Sequence, residues 1–176
     1  AELVPDVRRL NRVSLSFQAL QGAFGDQLTE AARLSDLVVF GSLREANTIG
    51  LADAFVQVLV DTDRPVLLAT EQAPQTFARR VAIGWDGKNA ASQAVSAAVP
   101  YLAAAEHVEI LCVQRPGKMA VTEALHSYLS LHGVTCSERT IARDGKSTGD
   151  VLLQAAHEGD ADDEDRCLCD AFESGV

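Results

Sequence analysis

A chain of 176 residues, 47% of them hydrophobic, has material for one ordinary α/β domain or for two incomplete ones. Its formal net charge of -10 argues against a general nucleic-acid or anionic-membrane binder, and four cysteines without regular spacing argue against a secreted disulfide scaffold. No apolar stretch approaches the roughly 18 residues that cross a bilayer and the N-terminus lacks a signal-peptide pattern, so the expectation is a cytoplasmic chain.

Val13, Leu15 and Phe17 alternate with Ser14, Ser16 and Gln18, which predicts an edge strand with one wet face. Residues 25–35 place Leu28, Ala31, Ala32 and Ser35 on one helical stripe. Leu37 to Phe40 is an unbroken apolar run of the kind found in parallel strands covered on both faces. Leu51, Phe55, Val58 and Leu59 mark a second helix, with Asn47 or Thr48 available as N-cap, and Pro65 to Ala69 reads as the next strand. Residues 71–80, with Pro74, read as a linker. Val81 to Trp85 is then a buried strand, and Asn89 is placed to cap a helix from Ala90 whose regular part Pro100 should kink or end. Val108 to Val113 is a strand, and residues 118–132 a helix stopped by Gly133. Residues 134–142 resemble a second edge strand and 149–157 a last helix. Strand and helix alternate, so the predicted class is α/β with a mainly parallel sheet.

An internal echo runs across this order. Gly25-Asp26-Gln27-Leu28-Thr29-Glu30-Ala31-Ala32 returns as Gly149-Asp150-Val151-Leu152-Leu153-Gln154-Ala155-Ala156. The first copy continues into the apolar run at Leu37, whereas the second continues into Asp163-Glu164-Asp165-Arg166, where a strand is due. This is the pattern of a duplicated domain whose second copy is interrupted.

Val81-Ala82-Ile83-Gly84-Trp85-Asp86-Gly87, the Ala-rich helix after it, the strand to Val113, Ser35 to Gly41 and Asp63-Arg64-Pro65-Val66-Leu67-Leu68 together resemble the universal stress protein family, in its tandem bacterial form. The resemblance implies that residues 1–70 are the C-terminal half of a first repeat, 71–80 a linker, 81–162 the N-terminal half of a second repeat and 163–176 a divergent acidic tail. It also implies a five-stranded Rossmann-like sheet, of the adenine nucleotide alpha hydrolase type, in the order 3-2-1-4-5. The two halves would supply its strands in permuted order. Closure within one chain and exchange between two chains both stay open, since ten linker residues reach roughly 33–36 Å. A homodimer or an association through edge strands is therefore the expected assembly.

The same resemblance implies adenine-nucleotide binding, ATP or AMP, with no cofactor strictly required. Asp86, beside Gly84 and Trp85, falls where ligands meet the carboxyl edge of a parallel sheet, and Val113 falls where backbone groups would lie beside adenine. Asp86 as a simple cap of the turn at Gly87 is the equal alternative. The family's phosphate signature of two glycines and a Gly-Ser/Thr pair is absent after Gly41: Arg44 and Ala54-Phe55 occupy the later positions, leaving Arg44 as a charge that substitutes for amides. Gly145-Lys146-Ser147 imitates the end of a P-loop, but Thr140 stands at the required glycine. Asp160, Asp162 and Glu164 lack a calcium loop's Gly and final Glu, and Cys167-Leu168-Cys169 lacks zinc spacing. Glu173-Ser174-Gly175-Val176 resembles a carboxyl-terminal peptide ligand, a match that arises easily by chance. Cys112 and Cys136 read as small core residues, and the four histidines as surface or helix-end positions. No nucleophile and base pair is evident. The expected function is thus a stress-response regulatory protein and not an enzyme. A non-nucleotide interaction module of the same fold is the alternative, and a small nucleotide hydrolase a further one.

Overall fold

The computed structural model describes residues 14–19, 21–41, 50–69, 77–114 and 121–159. The chain divides into two compact units, Ala1–Glu71 and Gln72–Val176.

The first unit contains α1 (Phe24–Ala32), β1 (Val38–Phe40), α2 (Leu51–Asp61) and β2 (Val66–Leu68). β1 and β2 pair in parallel, with Val38 opposite Val66 and Phe40 opposite Leu68. Ala32, Phe40 and Val58 are its buried centre, with Leu28, Val38, Leu51, Phe55 and Val66 packed around them. The rings of Phe40 and Phe55 meet edge to face at 5.4 Å. Gln57 ties α2 to α1, its amide donating to Asp26 Oδ1 at 2.9 Å.

Three expectations change here. Residues 14–19 are exposed and carry no strand, with Phe17 74% exposed, because alternation alone supplies no neighbour to pair with. The helical stripe runs through Leu28, Thr29 and Ala32, while Ala31 is exposed. Thr29 and not Ala31 continues the spacing from Gly25 at i+4. Val39 and Leu68 are 57% and 45% exposed, so this ladder keeps a wet side despite its unbroken apolar sequence. α2 is preceded by Gly50 in a left-handed conformation at φ 85°, and the proposed caps Asn47 and Thr48 lie outside the described residues.

The second unit contains β3 (Arg80–Gly84), α3 (Asn89–Leu102), β4 (His107–Val113), α4 (Glu123–Leu131), β5 (Ser137–Ile141) and α5 (Thr148–Gly159). Its sheet is parallel in the order β3-β4-β5, with Gly84 opposite Leu111 and Val113 opposite Ile141. Alternate residues serve two cores. Val81, Ile83, Val108, Ile110 and Cys112 join Val95, Leu102, Leu125 and Leu129 of α3 and α4. Leu111, with Ala82 and Ile141, joins Leu152, Ala155 and Ala156 of α5. β3 and β4 are therefore covered on both faces, as their apolar runs require.

Asn89 is the first residue of α3 and Lys88 stands at its N-cap, one position earlier than predicted. Pro100 sits inside α3, whose end at Leu102 follows within a turn, so its missing N–H costs little of the ladder. Gly133, at φ 74°, follows α4 and lets its last carbonyls bond back: Val134 N–H reaches Leu129 O at 3.0 Å.

Among the described residues the strands form a two-stranded and a three-stranded parallel sheet, one from each half, and no five-stranded sheet is formed among them. Two short strands satisfy their partners within a local β-α-β unit, since a crossover through α2 returns the chain directly beside β1. The two copies of the echo are both helices, α1 and α5, and residues 160–176, which continue the second copy, lie outside the described residues. No helix among the described residues is long and apolar enough to cross a membrane.

Candidate functional site

β3 and β4 deliver their carboxyl ends to one rim of the three-stranded sheet. Trp85 N–H continues the ladder to Leu111 O at 2.9 Å, and Gln114 N–H does the same to Ile141 O at 2.8 Å. Gly84, Trp85, Asp86 and Val113 therefore lie along one edge of the sheet. α3 and α4 cover one face of this sheet and α5 the other. Ligands of parallel α/β sheets meet the carboxyl ends of the strands.

Each residue on this rim also has a structural task. Gly84 is where α5 crosses: a Cβ would stand 3.1 Å from Leu152 Cδ1, so the glycine permits close helix packing. Half-buried Trp85 donates from Nε1 to Val121 O at 3.2 Å and ties the end of β3 to the approach to α4. Asp86 Oδ1 accepts the Lys88 backbone N–H at 3.0 Å across Gly87, whose φ of 77° suits glycine. The other oxygen, Oδ2, lies 3.3 Å from Lys88 Nζ. The carboxylate at the start of α3 thus complements the helix dipole and leaves that terminus unsuited to a second anion. A hydroxyl donor, such as a sugar, remains compatible with it.

Gly41 follows β1 in the first unit, where a Cβ would meet nothing within 4 Å, and Arg44 lies outside the described residues. Asp160 to Glu164, Cys167, Cys169 and residues 173–176 also lie outside them. Among the described residues no group of three His, Cys, Asp or Glu is arranged to hold a metal. The P-loop imitation resolves into a helix start: Ser147 Oγ accepts the Asp150 N–H at 3.1 Å and donates to Asp150 Oδ2 at 2.6 Å, while Lys146 Nζ turns to Gln154 Oε1 at 2.7 Å.

One arrangement escaped the sequence reading. His126 Nδ1 lies 3.3 Å from Cys136 Sγ, and His126 Nε2 lies 3.1 Å from Glu138 Oε2. The same carboxylate oxygen accepts the Thr122 hydroxyl at 2.7 Å. Thr122 precedes α4, His126 lies one turn along it, and Cys136 and Glu138 stand two residues apart at the start of β5. The i, i+2 spacing of Cys136 and Glu138 puts both on the α4 side of the strand, and the spacing of Thr122 and His126 puts both on the facing side of the helix. That short-range pattern was the available signal. Cys112 is buried as expected, whereas Cys136 is half-buried and touches this histidine. Hydrogen bonds from Thr122 and His126 hold the Glu138 carboxyl below its usual range. Burial, with the Glu138 charge adding to it, raises the Cys136 thiol.

No protein-family model and no curated protein matches this chain. Two solved chains match it in structure. One that is similar is a protein of the universal stress protein family from Burkholderia pseudomallei, 20% identical, with a TM-score of 0.38 over 46% of this chain and 74% of that one.

Proposed function

We propose that the chain is a universal stress protein-like regulatory module that binds an adenine nucleotide weakly at the rim formed by Gly84, Trp85, Asp86 and Val113. The observation that carries this reading is the meeting of the carboxyl ends of β3 and β4 on one rim, with a carboxylate one residue past Trp85. In this reading Asp86 accepts a ribose hydroxyl and backbone groups near Val113 face the base. The triphosphate receives little help, because the glycine signature after Gly41 is missing and Arg44 is the only substitute in its frame. AMP is then held about as well as ATP.

Trp85 is the only tryptophan of the chain and adjoins Asp86, so its emission reports on this rim. Titration with AMP and ATP should change that emission saturably at micromolar to millimolar nucleotide, and Asp86→Ala should weaken binding by about tenfold, the worth of one hydrogen bond to a charged group. Unchanged emission to several millimolar, together with protein that carries no nucleotide on purification, sinks the proposal.

The engagement of both Asp86 oxygens by Lys88 favours a second reading, an interaction module of the same fold without a nucleotide. In that case Asp86→Ala lowers stability and leaves every nucleotide titration flat. A nucleotide hydrolase finds less support, since the side chains described at this rim supply no nucleophile and base pair. A cytoplasmic setting, and a homodimer joined by strand edges, complete the proposal.

A further inference from the structure

The cluster of Thr122, His126, Cys136 and Glu138 shares no residue with the rim around Asp86 and has the form of an assisted thiol. His126 Nε2 faces a carboxylate, and that nitrogen therefore carries the ring hydrogen. The Nδ1 lone pair is left to accept the Cys136 S–H across 3.3 Å. Glu138 is fixed in turn by the Thr122 hydroxyl at 2.7 Å, so the base is oriented by a group that is itself oriented. Cys136 and Glu138 approach opposite ring nitrogens, which rules out their converging with His126 on one cation. The His126 and Glu138 side chains are 38% and 34% exposed, so a small molecule reaches the cluster from solvent.

We infer that Cys136 is a site of covalent oxidation by a hydroperoxide, with His126 as the group that takes and returns the proton and Glu138 as its positioning residue. Cys136 Sγ attacks the terminal oxygen of the peroxide as His126 Nδ1 accepts the thiol proton. The S–O bond forms, the O–O bond breaks, and two electrons pass from sulfur to the leaving oxygen. The imidazolium returns its proton to that oxygen. The products are Cys136 sulfenic acid and one molecule of water or alcohol, so thiol and peroxide are consumed one for one. A neutral oxidant suits the place. The Glu138 carboxylate beside the sulfur and the overall charge of -10 repel anionic reagents, and the resting thiol stays protonated until the base acts. A leaving alkoxide or hydroxide needs the proton that His126 holds.

The test treats the full chain with hydrogen peroxide, traps sulfenic acid with dimedone, and follows each cysteine by peptide mass spectrometry. Cys136 should label while buried Cys112 stays unlabelled and serves as the internal control of folding. His126→Gln should slow labelling of Cys136 by roughly tenfold to a hundredfold, the lower range for loss of a general base. Glu138→Gln separates two roles. If Glu138 positions the base, this variant slows oxidation; if the carboxylate only repels negative charge from sulfur, the variant speeds it. Faster oxidation in Glu138→Gln, an unchanged rate in His126→Gln, or no labelling of Cys136 in the native chain overturns the proposal. Should His126→Gln expose Cys112 to the reagents, the Glu138→Gln rate decides alone.

Discussion

Thr29 is 5% exposed on α1, and its hydroxyl oxygen has no hydrogen-bond partner among the described residues. A buried hydroxyl without a partner keeps its desolvation cost, so Thr29→Val, nearly equal in shape, should raise stability by about 1 kcal/mol in urea unfolding. An unchanged midpoint would place a hydrogen bond there. Cys112 shows the opposite case of a polar group buried in its favoured form. Burial, and then the Glu138 charge, pushes its thiol up to about 11. The unfolded thiol ionises near its ordinary value of about 8.5, so the contribution of Cys112 to stability is whole below that pH and is lost as pH rises towards 11. Melting temperatures taken from pH 8 to 11 should fall more steeply in the native chain than in Cys112→Ala. Equal slopes would remove Cys112 as the cause. At this scale the sequence was least legible. Burial of Cys112 followed from its apolar strand, whereas for Cys136 the spacing offered faces but not the contact itself, which depends on how α4 lies on β5.

Among the elements, α5 shows most clearly how polar groups secure a helix that apolar packing only places. Leu152, Ala155 and Ala156 set it on the sheet. Arg139 of β5 donates to both oxygens of Glu109 on β4, at 3.1 and 2.9 Å, and to Ala155 O at 2.7 Å, while Arg80 of β3 donates to Gly159 O at 2.7 Å. Guanidinium groups thus satisfy carbonyls at the helix end, where charge and dipole agree. Arg139→Met keeps the aliphatic stem and leaves Glu109, 20% exposed, without that pair; the expected loss is about 1–3 kcal/mol. Amide exchange should quicken in α5 before α3. Equal quickening in both would mean that the clamp is not local. The elements themselves were largely legible: apolar runs marked β1 to β4, and helical spacing marked all five helices to within a few residues. The failure at residues 14–19 has a physical cause, since alternation specifies a face for a strand but not the neighbour that makes it one.

For the molecule as a whole, the sequence pointed to α/β architecture and parallel pairing but left open one sheet or a division into two, because pairing partners are set by chain geometry and not by the pattern within a strand. The division leaves outer strand edges. β3 lies at one edge of its sheet, and β1 and β2 have one partner each among the described residues. Exposed Val39 and Leu68 add apolar surface beside such an edge. Edges of this kind recruit further strands, so light scattering should give twice the 18.7 kDa chain mass, and Val39→Lys should shift the population towards the single chain. A single-chain mass at every concentration would leave no role for pairing between copies.

The Arg80 and Arg139 clamps hold the last turn of α5 towards the amino-terminal ends of the strands, while Asp86 and Trp85 occupy the carboxyl-terminal rim. With α5 spanning about 18 Å between these two places, occupancy of the rim and release of the helix end become separately observable events. Tryptophan emission reads the first and amide exchange at residues 155–159 the second. Their order in time would show whether this fold passes a signal along a helix or keeps its two ends independent.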